Sequence, residues 1–247
     1  MTLAAALVVV FAGLAVGATS IGGVLLVPAL TVLSGVPVAE AIAASSFSFA
    51  FTGAAGIVLQ RLRGPHAGEA PPPALYWGAL AGAAAGALSL PWLPPLMPRL
   101  AVAGLSLSTG ILVLLPAGRH EVPGQVLPAP ALIGLVVGCG SAWSGTGGPI
   151  VLLPILFFLR VPTLVAVAAS QALQLPIAVA TVAANLASGT LNLGLGLVLG
   201  ALLLAGWVAG ARLGRSLPVA RLRKGIAWGL IAVGLWFGWQ SLGGVLT

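Results

Sequence analysis

No charged side chain occurs in this sequence before Glu40. A stretch of that kind cannot form the surface of a soluble domain, which needs roughly 25–35% charged residues. The rest of the chain continues in the same way: of 247 residues only 5% are charged, and the mean hydropathy is +1.17. Eight apolar segments can be marked out, at roughly residues 3–33, 41–60, 74–93, 97–115, 129–159, 163–184, 191–211 and 225–243. About 20 apolar residues suffice to cross a bilayer as helix. The expected fold class is therefore an all-α, polytopic integral membrane protein, with the lipid bilayer as its solvent and a single membrane domain over residues 1–247. The net charge of +7 does not point to nucleic acid, because the basic residues are few and scattered in short loops. Loop cations of that kind report orientation in the membrane. Cys139 stands alone, so no internal disulfide can form, and His66 and His120 fall in separate loops, which leaves no zinc site. Nothing in the sequence calls for a cofactor. The start, MTLAAALVVV, lacks the positive region of a signal peptide and reads as the beginning of the membrane domain.

The chain reads as written twice, with repeats 1–118 and 128–247 linked by a short loop at 116–130. Gly22 pairs with Gly148 and Pro28 with Pro154 at an offset of 126. Pro37 pairs with Pro162, Ser45 with Ser170 and Gly64 with Gly189 at 125. Gly82 pairs with Gly206, Gly86 with Gly210, Pro94 with Pro218 and Gly110 with Gly234 at 124. Duplicated halves are a common transporter construction, with substrate held near the midplane where the halves meet.

The first segment of each repeat is unusual. Residues 3–33 and 129–159 are too long for one crossing and too short for two. Each carries a Gly-Gly, which permits the positive φ angles of a turn. The expectation is two half-depth helices joined at the glycines, a re-entrant hairpin of the kind tolerated only inside protein or beside a water-filled cavity. Two topologies follow. With eight crossings, Arg61, Arg63 and Arg119 lie opposite Arg99, Arg160, Arg212, Arg215, Arg221, Arg223 and Lys224. With six crossings and two re-entrant hairpins, only Arg99 lies opposite the other nine cations. The second arrangement obeys the positive-inside rule far better and makes the repeats inverted. It is favoured, with eight crossings as the alternative.

The motif pattern resembles the sulfite exporter TauE/SafE family of bacterial membrane permeases. The resemblance rests on Gly22-Gly23 to Pro28, Val36-Pro37 and Ala44-Ser45-Ser46. These recur as Gly147-Gly148 to Pro154, Val161-Pro162 and Ala169-Ser170-Gln171. It departs from the family's richer glycine cluster at Ile21 and Pro149. The resemblance implies a secondary transporter in the bacterial inner membrane that exports small sulfur-containing anions such as sulfite, thiosulfate or organosulfonates.

Helix N-termini carry unpaired N–H groups and partial positive charge, so a broken helix can hold an oxyanion at membrane depth. The candidate substrate-binding residues are Thr19, Ser20, Gly22 and Gly23 at the first break, and Ser144, Thr146, Gly147 and Gly148 at the second. Ser45, Ser46, Ser170 and Gln171 join them from the helices that follow. Gln174 and Asn185 are secondary candidates, and Trp143 is a candidate gate. Gly82, Gly86, Gly206 and Gly210 form GxxxG patterns that read as helix packing. The carboxylates Glu40, Glu69 and Glu121 all lie in loops or at helix starts, so no ordinary proton carrier sits in the membrane. An enzyme and a cation transporter are disfavoured for want of acid–base groups there. An anion channel remains the alternative to a carrier.

Overall fold

The computed structural model describes residues 1–63, 71–94, 96–114 and 127–213, and residues 224, 227–228, 231–232 and 234–239 beyond them. The sequence-predicted positions Gly64, His66, Glu69, Arg119, His120, Glu121, Arg215, Pro218, Arg221 and Arg223 lie outside the described residues, as does most of the linker. The described elements are helices: α1 (Leu3–Thr19), α2 (Leu26–Ser34), α3 (Val38–Arg63), α4 (Pro73–Ser89), α5 (Leu96–Leu114), α6 (Pro130–Ser144), α7 (Pro149–Phe158), α8 (Thr163–Ala187) and α9 (Leu193–Leu213). Further helical residues appear at 234–239. Among the described residues, four helical stretches are long and apolar enough to cross a membrane: Val38–Leu59, Pro73–Trp92, Val165–Ala187 and Leu193–Leu213.

Burial runs opposite to that of a soluble domain. Leu3, Leu7, Phe11, Leu132 and Leu197 face outward, whereas Ser45, Ser48, Thr52, Ser170, Gln174 and Thr181 are buried. Lipid satisfies the first set, and the second avoids it by facing other helices. Trp77, Trp92, Trp236 and Trp239 are exposed, as residues anchored at a membrane interface should be.

Both glycine-bearing segments are broken helices. Thr2 caps α1 through Ala5 N–H, and its own N–H and hydroxyl reach Ser34 Oγ and the Leu33 carbonyl at the end of α2. The start of α1 and the end of α2 therefore lie together, and the first segment is a hairpin. Its arms are unequal, contrary to the half-depth expectation. At 17 residues α1 is about 26 Å long, whereas α2, at 9 residues, is about 14 Å. The second segment repeats the imbalance with 15 residues in α6 and 10 in α7. The reason is local: the glycines stand about two-thirds of the way along each segment.

The bundle is knit by packing between the halves. α1 runs alongside α9, and α4 alongside α6, at glycine contacts that let backbones touch. A β-carbon at Gly206 would fall on the Val10 carbonyl, and one at Gly210 on the Leu14 carbonyl. At Gly82 and Gly86 the corresponding neighbours are Leu135 and Cys139 of α6. Gly13 and Gly17 of α1 return the contact to α9, as Gly134 and Gly138 of α6 do to α4. α3 crosses α8 in the centre, with Gly53 against Leu175 and Gly56 against Gln171, so the two run antiparallel. Glu40 Oε1 accepts from Asn192 Nδ2 at 3.0 Å, which ties the starts of α3 and α9 to one end of the bundle.

Candidate functional site

The two breaks share their backbone geometry. Ser20 closes α1 in the left-handed region at φ 60°, with its N–H on the Val16 carbonyl at 2.8 Å. Gly145 closes α6 at φ 65°, with its N–H on the Ser141 carbonyl at 2.8 Å. Positive φ continues at Gly22 (144°), Gly147 (74°) and Gly148 (108°). A short 3₁₀ turn over Gly23–Leu25 then leads into α2, and α7 starts directly at Pro149. Proline suits that first position, where its missing N–H would be unpaired anyway.

The breaks meet around one aromatic ring. A β-carbon at Gly23 would lie 2.5 Å from Phe49 Cζ and 3.1 Å from the Thr146 carbonyl oxygen. One at Gly147 would lie 2.5 Å from Phe49 Cγ. Phe49, 1% exposed on α3, thus fills the space between the glycines of both halves. Sequence reading overlooked it, although a signal was present: at an offset of 125 it stands opposite Gln174, itself a secondary candidate.

Several predicted polar residues come together here. Gln171 Nε2 of α8 donates to Ser20 Oγ at 2.8 Å, a contact between α8 and the first break. Ser144 Oγ donates to the Gly140 carbonyl at 2.6 Å and pairs with Thr146 Oγ1 at 2.9 Å. Gln174 Oε1 accepts from Thr52 at 3.1 Å across the α3–α8 crossing. Ser46 is buried on α3. Thr19 is the last residue of α1, and its side chain lies outside the described residues.

Among the described residues, Ser45 Oγ, Ser141 Oγ, Ser170 Oγ, Gln174 Nε2 and Trp207 Nε1 are buried without a hydrogen-bond partner. An orphaned polar group in an apolar interior costs about 1–3 kcal/mol, so each of these atoms has capacity left for a polar partner. Ser45 lies in α3 and Ser170 in α8, the two helices that cross in the centre. Ser141, which the sequence reading left out, lies 3.8 Å from the β-carbon position of Gly148. Donors and hydroxyls of this kind can bind an oxyanion without a buried cation. Among the described residues, no group of three or more His, Cys, Asp or Glu is placed to hold a metal.

Of the other candidates, Trp143 packs against the cluster that holds Phe49. Asn185 turns the end of α8, accepting from Thr190 at 3.1 Å. The Trp143 indole donates to Ser89 Oγ at 3.1 Å, which fixes it against the end of α4. Cys139 lies half-buried against Gly86.

A family model described as sulfite exporter TauE/SafE matches residues 72–237, from α4 to the final helical residues. The chain belongs to the sulfite exporter TauE/SafE family. No curated protein and no solved structure matches it. A TauE/SafE chain is a membrane transporter and not an enzyme, and the family's cargo is a sulfite-type anion. The matched segment holds the second break, α8 and α9, while the first break, Ser45, Ser46 and Phe49 precede it. In this TauE/SafE chain the cross-half Gln171–Ser20 bond is open to a double-mutant cycle. Gln171→Ala and Ser20→Ala should each destabilise the protein, with a coupling energy of about 0.6–1.7 kcal/mol in detergent unfolding. Additive losses would show that the bond contributes nothing.

Proposed function

We propose that this chain is a secondary carrier that exports small sulfur-containing anions, sulfite, thiosulfate or organosulfonates, across the bacterial inner membrane. The anion is held where the two breaks meet, by the backbone at Gly22, Gly23, Gly147 and Gly148 and by Ser20, Ser45, Ser46, Ser144, Thr146, Ser170 and Gln171. The observation that carries this reading is the pair of glycine breaks converging on Phe49 beside unpartnered hydroxyls from both halves. Burial of Ser20, Ser144 and Thr146 at 2% exposure or less favours an occluded carrier over an open channel.

The repeats are read as inverted. The first hairpin opens where α3 and α9 begin, since α1 is parallel to α9 and Glu40 joins α3 to α9. The second opens where α8 begins, since four residues, 159–162, join α7 to α8. With α8 antiparallel to α3, this supports opposite entrances for the two hairpins. Alternating access then follows from exchanging two equivalent halves around one site.

Export needs no proton carrier. A negative-inside potential favours anion exit by about 2.3 kcal/mol per charge per 100 mV. Proteoliposomes should show saturable, counterflow-competent flux of sulfite. With an organosulfonate, which stays ionised, flux at clamped potential should not change when a pH gradient is imposed. Flux that never saturates would replace the carrier by a channel, and strict dependence on the pH gradient would replace uniport by proton coupling.

A further inference from the structure

A cavity of about 400 Å³ opens away from the two breaks, at the end of the bundle where α2 finishes and α3 begins. Thr31, Val36, Val38, Arg99 and Phe237 contribute to its wall, and among the described residues lining it Arg99 is the one charged group. Arg99 is half-buried in the first turn of α5. A cation is disfavoured there, because the helix N-terminus is itself the positive end of the dipole. Val38 is the first residue of α3, but Glu40 in the same first turn offsets that helix end and is engaged by Asn192. The positive charge on the cavity therefore comes from the Arg99 guanidinium, reinforced by the start of α5, in a partly dehydrated setting.

The cavity is also close to the site. Thr31 Oγ1 is tied back to the Val27 carbonyl at 2.9 Å, one turn farther into the bundle. Val27 in turn places a methyl 3.0 Å from the β-carbon position of Gly145. One helical turn of α2 therefore separates the cavity wall from the second break.

We propose that the Arg99 cavity is a binding vestibule for small oxyanions, the stop between the central site and the solution on that face. This rests on the transport reading above. On the six-crossing reading Arg99 is the exception to the positive-inside rule, and the vestibule gives that exception a purpose.

The test uses a thiol reporter. In a Cys139→Ser background, Val38→Cys is reconstituted in phosphatidylcholine vesicles, with Thr31→Cys as a second reporter should the first fold poorly. Its rate of modification is compared for a sulfonate-bearing and a trimethylammonium-bearing methanethiosulfonate. The anionic reagent should gain about tenfold over the cationic one. Arg99→Gln should abolish that gain, Arg99→Lys should keep it, and sulfate should protect the thiol. In flux assays Arg99→Gln should raise KM for sulfite about tenfold with the maximal rate kept. An unchanged reagent ratio in Arg99→Gln, or an unchanged KM, overturns the proposal. Protection that appears only when phosphatidylglycerol is added, with none from sulfate, also overturns it by assigning the cavity to a lipid headgroup. A protein that fails to move sulfite yet keeps Arg99-dependent, sulfate-protected labelling would sink the transport reading and leave the oxyanion site standing.

Discussion

Gly206→Val is expected to abolish the folded protein. The Gly206 β-carbon position overlaps the van der Waals sphere of the Val10 carbonyl oxygen, and Leu14 N lies 2.9 Å away, so both obstacles are backbone. No rotamer change relieves such a clash. α1 and α9 would have to separate along their whole contact, which also carries Gly13, Gly17 and Gly210. Overpacking a tight interior typically costs 1–3 kcal/mol, and a backbone clash belongs at about 3 kcal/mol or above. That is a large share of a domain's total stability. Gly138→Val should behave in the same way, because its β-carbon would meet the Ala79 carbonyl and, at 2.6 Å, Ala83 N of α4. Gly104→Ala is the control, since nothing lies within 4 Å of its β-carbon position. Yield and thermal stability of the detergent-purified protein report the outcome. A Gly206→Val protein as stable as Gly104→Ala would show that the α1–α9 contact is not needed for folding.

The second large effect is on transport. Gly147→Ala should lower sulfite flux about a hundredfold while leaving a folded protein. Two costs combine. A β-carbon at φ 74° is strained by about 1–2 kcal/mol. It would also press on the Phe49 ring at 2.5–2.9 Å and displace it from between the breaks. A shift of about 1 Å in a positioned group commonly costs two orders of magnitude in rate. Gly35→Ala separates the two costs: it has φ 66° but nothing within 4 Å, so it should carry the strain and keep its flux. Equal flux in Gly147→Ala and Gly35→Ala would remove the Phe49 junction from the mechanism.

Much of this architecture was legible in the chain. The two broken segments announced themselves by length and by Gly22-Gly23 and Gly147-Gly148, because only glycine makes positive φ cheap in the middle of an apolar run. Pro37 and Pro162 marked the starts of α3 and α8 for a similarly local reason. Candidate site residues were found where a hydroxyl or amide interrupts an apolar pattern, which is how Ser20 and Gln171 were both named before any contact between them was known. Ser141 and Phe49 were missed. Ser141 looked like one more small residue on a glycine-rich helix, and a phenylalanine in a membrane helix gives no sign of facing protein rather than lipid.

The sequence by itself determined that the chain lives in a bilayer, that it is helical, and where its backbone bends, because hydropathy and glycine torsion are local properties. Only the tertiary structure decided which helix meets which: α1 on α9, α6 on α4, Gln171 on Ser20, and Phe49 between Gly23 and Gly147. The physical reason is that α1, α4 and α9 are apolar on nearly every side, so no amphipathic stripe declares an inward face. In lipid, partner choice falls to close backbone approach and to the few polar groups that must find one another, and both are fixed by residues far apart in the chain, such as Ser20 and Gln171.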